Sequence, residues 1–262
     1  MKAYVTGGCG FIGYNLCQKL YELGWKVLVI DDLSTGRKDN YISDFNYLYL
    51  DITKPDTLDK AASKFLPDVI FHLAAIPRVS YSIDEPYKTS IANIVGTIAL
   101  LEFIRTRCSK TRLIFSSSSS VFGGVKRLPT PEHCPKNPKS PYALQKHQSE
   151  EWCKIYSSLY NMDTVCLRYF NVIGPGSLFG GAYSTVLSAW MYHLFVNPTV
   201  IPILEGDGTK SRDFCAVENA VAANILAAEH LGKFIGDCFN IAQGSAHTLL
   251  ECKDLLEKIS GK

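Results

Sequence analysis

A tyrosine and a lysine four residues apart, Tyr142 and Lys146 in PYALQK, offer the most chemistry in this sequence. On a helix that spacing puts both on one face. A phenol of ordinary pKa, ~10, is a poor base at neutral pH. A nearby ammonium, together with a cationic ligand, favours the phenolate, lowers that pKa and makes the tyrosine a proton acceptor. A YxxxK pattern also occurs on plain exposed helix faces, so its position matters. It opens a helix 24 residues after Ser118, which lies just past the end of a strand. Ligands of open parallel sheets bind at that carboxyl edge.

A second group of residues concerns what would bind there. TGGCGFIG follows the first strand and opens the first helix, with Gly7, Gly10 and Gly13 spaced as GxxGxxG and Phe11 and Ile12 between the last two. Glycines at these places permit a tight turn, the close approach of a pyrophosphate and close packing of helix on strand. The helix N-terminus adds free N–H groups and partial positive charge for phosphates. Asp31 ends the second strand 18 residues after Gly13, with Asp32 beside it. A carboxylate there accepts from ribose hydroxyls and repels a 2′-phosphate, so the expected cofactor is NAD rather than NADP.

The elements that must position these groups alternate along the chain. Strands are expected at 3–6, 26–31, 47–50, 68–73, 112–116 and 164–169, and helices at 11–23, 55–65, 86–107 and 141–159. That order predicts a doubly wound α/β fold, a Rossmann-type parallel sheet covered on both faces. After Asn171 the pattern loosens into Gly/Pro loops, helices at 183–196 and 217–231, a strand near 238–242 and a helix from about 248. The expected division is therefore a dinucleotide-binding domain over 1–170, including the Tyr/Lys helix. A smaller substrate lobe over 171–262 is interleaved with the sheet edge.

Composition limits the alternatives. The 262 residues are 47% hydrophobic with a formal net charge of +2, which excludes a disordered chain and gives no field for nucleic acid. Residues 169–204 carry no charged side chain, but their glycines and prolines leave only 183–196 as a helix, too short to span a bilayer. No membrane association is expected. Nine cysteines without a CxxC pair read as reduced thiols rather than a disulfide framework or a zinc site. With a start, MKAYVTGG, that has no room for a signal peptide, they predict a cytoplasmic location and no metal.

TGGCGFIG, DDLSTG, FHLAA, LIFSSSSSVFG, PYALQK, RYFNVIGPG and GDGTKSRDF, in that order over essentially the whole chain, resemble the extended short-chain dehydrogenase/reductase family. Within it they are most similar to the NAD-dependent nucleotide-sugar epimerases of the UDP-glucose and UDP-N-acetylglucosamine 4-epimerase group. The resemblance implies that Tyr142 is the catalytic base, that Lys146 tunes it and holds the nicotinamide ribose, and that Ser118 bonds the reacting sugar hydroxyl. Ser116 and Ser117 would line nicotinamide and sugar, Asp51 and Ile52 the adenine, and Leu73, Ala74 and Ala75 the underside of the cofactor. Tyr169 would stand near the nicotinamide. Asn171 and Arg212 would bind the pyrophosphate of a UDP-sugar, a task suited to a guanidinium fork.

The implied reaction removes the sugar 4-hydroxyl proton at Tyr142 as hydride passes from C4 to NAD⁺. The 4-keto sugar turns over, and hydride returns to its other face. Dehydratases and decarboxylases of the family usually carry an acid in the segment that reads Ser118-Ser119-Ser120 here, which disfavours them. A UDP-glucuronate epimerase or a reductase stays open. A non-catalytic NAD sensor would have no use for Tyr142, Lys146 and Ser118. The resemblance also implies a homodimer through helices 86–107 and 141–159, and a chain short at its C-terminus, so that the substrate lobe is expected to be incomplete. Phe122 replaces a usual Tyr, and Ala216 a frequent aromatic. His72 reads as a structural strand residue, and Cys9 as a small side chain in the phosphate loop.

Overall fold

The computed structural model describes residues 1–125, 128–177, 186–199 and 206–261. Seven parallel strands form one sheet in the order β3-β2-β1-β4-β5-β6-β8: β1 is Lys2–Thr6, β2 Lys26–Ile30, β3 Asn46–Leu48, β4 Val69–His72, β5 Arg112–Ser118, β6 Asp163–Tyr169 and β8 Ile235–Ile241. Both faces are buried, so the strands read as apolar runs rather than alternating ones. On β1, Ala3 and Val5 join one core with Val29, Phe71, Leu16 and Leu20. Tyr4 joins the other with Leu28, Ile70, Leu113 and Leu100.

Helices α1 (Phe11–Glu22), α2 (Pro55–Ala62), α5 (Gly96–Arg107), α6 (Pro141–Tyr160) and α8 (Val217–Glu229) supply the covering side chains. The single helix expected over 86–107 is a run of α4 (Pro86–Ser90), a π turn at Ile91–Val95 and α5. The π turn inserts an extra residue into the ladder and carries Asn93, which is buried. Short elements without periodicity were not expected from the sequence: α3 (Val79–Asp84), a 3₁₀ turn at Ser119–Phe122, and the antiparallel pair β7 (Ser211–Asp213) with β9 (Ala246–Thr248). The expected helix at 183–196 appears as α7, Val186–Phe195, and its first three residues lie outside the described ones. The last helix, α9 (Leu249–Ser260), starts from a capping box made by Thr248 and Glu251.

The C-terminal third contributes to the main sheet. β8 pairs with β6 from Thr164↔Ile235 to Tyr169↔Ile241, and α8 packs on α1, β5 and β6. Arg112 fastens this return: it pairs with Asp163 at 2.8 Å and donates to the carbonyls of Ala227 at 2.6 Å and Gly232 at 2.6 Å. Among the described residues no helix is long and apolar enough to cross a membrane, and no cluster of His, Cys, Asp or Glu is placed to hold a metal.

A buried ion pair ties β6 to α6. Arg168 Nε and Nη2 donate to the two carboxylate oxygens of Glu150 at 2.7 and 2.8 Å, and both side chains are almost wholly covered. Removing one partner leaves an uncompensated charge in the interior. Arg168→Met should therefore lower the unfolding free energy by about 3–5 kcal/mol, read from the urea midpoint; a loss below about 1 kcal/mol would mean that the pair behaves as an exposed one.

Candidate active site

The carboxyl ends of β1, β2, β4, β5 and β6 open onto a cleft of about 1540 Å³. Every residue expected from the sequence to act in catalysis or binding lines it. Gly7, Gly10, Phe11, Ile12, Gly13, Asp31, Asp32, Asp51 and Ile52 lie toward one end. Ser116, Ser117, Ser118, Tyr142, Lys146, Tyr169, Asn171 and Arg212 belong to the other, with Leu73, Ala74 and Ala75 between them.

The glycine loop is as tight as its composition implies. Gly7 has φ +72°, and a Cβ there would stand 2.6 Å from Ala74 N. A Cβ on Gly13 would stand 2.1 Å from Gly7 O, so only glycine lets α1 approach β1 so closely. Asp31 braces the loop: its carboxylate accepts from Cys9 N–H at 2.9 Å and from Leu33 N–H at 2.8 Å. Burial raises its pKa, and those two N–H bonds oppose the rise. Asp51 caps the turn after β3, accepting from Thr53 N–H at 2.8 Å. A helix N-terminus, a close-approach loop and a carboxylate at the end of β2 together form a cradle suited to a dinucleotide.

At the other end α6 is held by groups that the sequence reading did not identify. Ser140 caps it by accepting from Ala143 N–H at 3.2 Å, and Ser82 of α3 accepts from Tyr142 N–H at 3.1 Å. Asn93, on the π turn, bonds both backbone groups of Ile76 and donates to Gln145 Oε1 at 2.7 Å. Gln145 in turn donates to Thr89 and Ser90. Asn93 and Gln145 are polar residues at core-facing helical positions, which is the signal that could have marked them.

Lys146 therefore enters the interior with a defined target. Its Nζ donates to Ser116 O at 2.8 Å and lies 4.8 Å from the Phe115 ring centroid. Burial lowers its pKa to about 8. The Tyr142 ring centroid is 5.9 Å from that ammonium. Burial pushes the Tyr142 phenol up to about 12, and only a hydrogen bond from Ser118 opposes the rise. The lowered value expected from the sequence requires a cationic ligand beside the phenol. Without a bound cation, desolvation outweighs the lysine, whose ammonium is engaged with a main-chain carbonyl.

Two expected contacts differ in detail. Ser117 lines the cleft, but its hydroxyl donates to Glu150 Oε1 at 2.5 Å because the buried carboxylate is the stronger acceptor at hand. Asn171, at φ +26°, donates to Asp213 O at 2.8 Å, and so ties the end of β6 to β7. Arg212 on β7 is exposed, and its Nη1 donates to Ser211 O at 2.8 Å. Asp213 orders the adjoining loop by accepting from the N–H groups of Gln243 and Gly244, each at 2.8 Å. Ser116 Oγ is 3.3 Å from the Tyr169 hydroxyl, which also meets Asn224 Nδ2 at 2.6 Å.

His72 is buried beneath the site. It sits 2.8 Å from Thr6 Oγ1 through Nδ1 and 3.0 Å from Thr97 Oγ1 through Nε2. Thr97 spends its proton on Asn93 O, so Nε2 carries the imidazole hydrogen. Burial and Lys146 lower its pKa to about 3. It is a neutral strand residue.

Comparison with known proteins places this geometry. The profile of the NAD dependent epimerase/dehydratase family matches residues 3–242. A UDP-glucose 4-epimerase of Mycolicibacterium smegmatis is 35% identical over 248 residues, 93% of this chain and 78% of that protein. The crystal structure of the Thermotoga maritima UDP-glucose 4-epimerase with UDP-glucose superposes with a TM-score of 0.94 at 33% identity, covering 100% of this chain and 83% of that one. The UDP-N-acetylglucosamine 4-epimerase of Methanobrevibacter ruminantium M1, solved with UDP-N-acetylmuramic acid, gives 0.92 at 32% identity, covering 100% and 82%.

The buried ammonium has a measurable signature in nucleotide-free protein. Its pKa falls from the usual 10.5 to about 8 on folding. Between those values the unfolded chain binds more protons, so this group's contribution to stability rises with pH; below about pH 8 its burial cost is fully present. Lys146→Met lacks that dependence. The difference in urea-unfolding free energy between the two proteins should shift in favour of wild type by roughly 3 kcal/mol from about pH 7 to about pH 10.5. A difference constant over that range would place the ammonium in solvent.

Proposed function

The chain belongs to the NAD dependent epimerase/dehydratase family, and from that premise we propose that it interconverts a UDP-hexose and its 4-epimer with NAD as a resident cofactor. One observation carries the reading. A loop suited to a pyrophosphate and a Ser118–Tyr142–Lys146 group share a single cleft, one at each end. The cradle at Gly7, Gly10 and Gly13 with Asp31, Asp32, Asp51 and Ile52 takes the adenosine and phosphates. Leu73, Ala74, Ala75, Ser116 and Tyr169 border the rest of the cofactor. When bound, NAD⁺ supplies the hydride acceptor and a positive charge that favours the Tyr142 phenolate.

This chain's own residues do the remaining work. Ser118 donates to Tyr142 and orients the sugar 4-hydroxyl between them. Tyr142 accepts that proton and later returns it, so it ends each cycle as it began. Lys146, anchored on Ser116 O, holds positive potential beside the phenol and binds the ribose. Asn171 and Arg212 hold the diphosphate from β6 and β7, leaving the hexose free to turn over about its tether. Ser117, through its bond to Glu150, fixes the end of β5. Residues 1–170 form the cofactor unit, and 171–262 the substrate unit that leans on the sheet edge.

We assign the reaction to the cytoplasm, where nine free cysteines suit a reducing medium. A homodimer through helices 86–107 and 141–159 accounts for the apolar face there: Val95, Leu144, Trp152, Ile155 and Leu159 are all exposed.

Turnover of UDP-glucose, UDP-N-acetylglucosamine or UDP-glucuronate to the 4-epimer, resolved by chromatography, tests the reaction. Tyr142→Phe should cost about 10²–10⁴-fold in kcat with the fold intact. If NAD binds and none of these sugars reacts, the protein is a binder rather than an epimerase. For assembly, sedimentation should give a dimer at micromolar concentration, and Ile155→Glu a monomer of unchanged circular dichroism. A monomeric wild type removes the dimer from the proposal.

A further inference from the structure

Asn224 sits in the middle of α8, fully buried among apolar neighbours, and no step assigned above uses it. Its Nδ2 donates to Ala220 O, one turn back, at 2.8 Å and to the Tyr169 hydroxyl oxygen at 2.6 Å. Its Oδ1 has no partner among the described residues. The amide cannot be turned over, because Oδ1 would then face the Ala220 carbonyl oxygen, acceptor against acceptor. Only its donor is used, at the standing cost of a bare buried acceptor.

The Tyr169 oxygen thus receives a proton from the α8 side. Ser116 Oγ, at 3.3 Å, is placed as a second donor to the same atom. A phenol oxygen has one proton and two acceptor positions. With donors filling both, its own proton is left to point in the remaining direction, and Tyr169 lines the cleft. The register sets where: Tyr169 is the pairing partner of Ser118 on β5, at the end where Tyr142 and Lys146 stand.

We infer that Asn224 is a positioning residue that fixes the Tyr169 hydroxyl as a one-way donor into the cleft, toward a carbonyl acceptor on the nicotinamide half of bound NAD. The inference rests on the proposed cofactor. It adds that α8, reached only through the return of the chain to the sheet, sets the polarity of a hydrogen bond at the cofactor face. An acceptor at position 224 would reverse that polarity without removing the tyrosine.

The experiment measures NAD⁺ dissociation constants of nucleotide-free full-length protein by tryptophan fluorescence, for wild type, Asn224→Asp, Tyr169→Phe and the double variant, with thermal melting as a control on folding. Asp at this position draws the Tyr169 proton back toward α8. Each single variant should therefore weaken NAD⁺ on the order of tenfold, and the double variant no more than the weaker single. If the two losses multiply, or if Asn224→Asp leaves affinity unchanged, the inference falls. Should Asn224→Asp fail to fold, Asn224→Leu carries the test: its loss of a few-fold should vanish in the Tyr169→Phe background, whereas a merely structural role gives the same loss in both. A wild type that does not bind NAD⁺ overturns the proposed function instead, so the two failures are distinct.

Discussion

An ammonium group inside a protein must be met by acceptors, or folding would expel it. Lys146 is 3% exposed, and its Nζ reaches Ser116 O at 2.8 Å. Much of the surrounding structure holds that one contact in place. The first turn of α6 is capped by Ser140 and by Ser82 of α3. Its second turn is tied by Gln145 to Asn93, which also fixes the backbone of Ile76. One turn on, Glu150 locks to Arg168 and Ser117. A polar network of this kind is costly unless complete, and apart from the local Ser140 cap its links join different elements of the chain. Helix, strands and loop therefore adopt one relative placement, and Tyr142 inherits it.

The same economy governs the other end of the cleft. The sheet order reverses beside β1, with β2 and β3 on one side and β4 onward on the other. Loops leaving β1 and β4 diverge from such a point and leave a crevice. Gly7 lies against Leu73 and Ala74 at contact distance, which brings the two loops together at its floor. Three carboxylates, Asp31, Asp32 and Asp51, line the β2–β3 side, whereas on the β5–β7 side the cations Lys146 and Arg212 outnumber Asp213. That division suits a ligand pair with ribose hydroxyls at one end and a diphosphate at the other.

Legibility from sequence followed locality. β1, its glycine loop and α1 were readable because strand run, glycine spacing and helix period are short-range patterns, although Gly7 also meets Ala74 across the sheet. α6 was readable from its Pro start and periodic apolar face. The π turn at Ile91–Val95 was not; its Asn93 bonds Ile76, seventeen positions away and outside any helical period. Nor was α3 recognised, as six residues carry no period. The antiparallel pairing of β7 with β9 joins residues more than thirty positions apart in a stretch without alternation. Within the site, the residues that line the cleft were legible and several of their hydrogen-bond partners were not. Ser117 bonds Glu150, Asn171 bonds the backbone of Asp213, and without a bound cation burial holds the Tyr142 phenol above its ordinary pKa.

By itself, then, the sequence determined the α/β class, the glycine loop, the Asp31 position and the Tyr142–Lys146 pair, because helix period, strand runs and turn chemistry are short-range properties of the chain. The tertiary structure alone decided that β8 and α8 return to complete the sheet, that Asn224 meets Tyr169, and that burial rather than the neighbouring ammonium sets the resting state of Tyr142. Those outcomes depend on desolvation and on contacts across distant segments, and neither is defined until the chain has closed on itself.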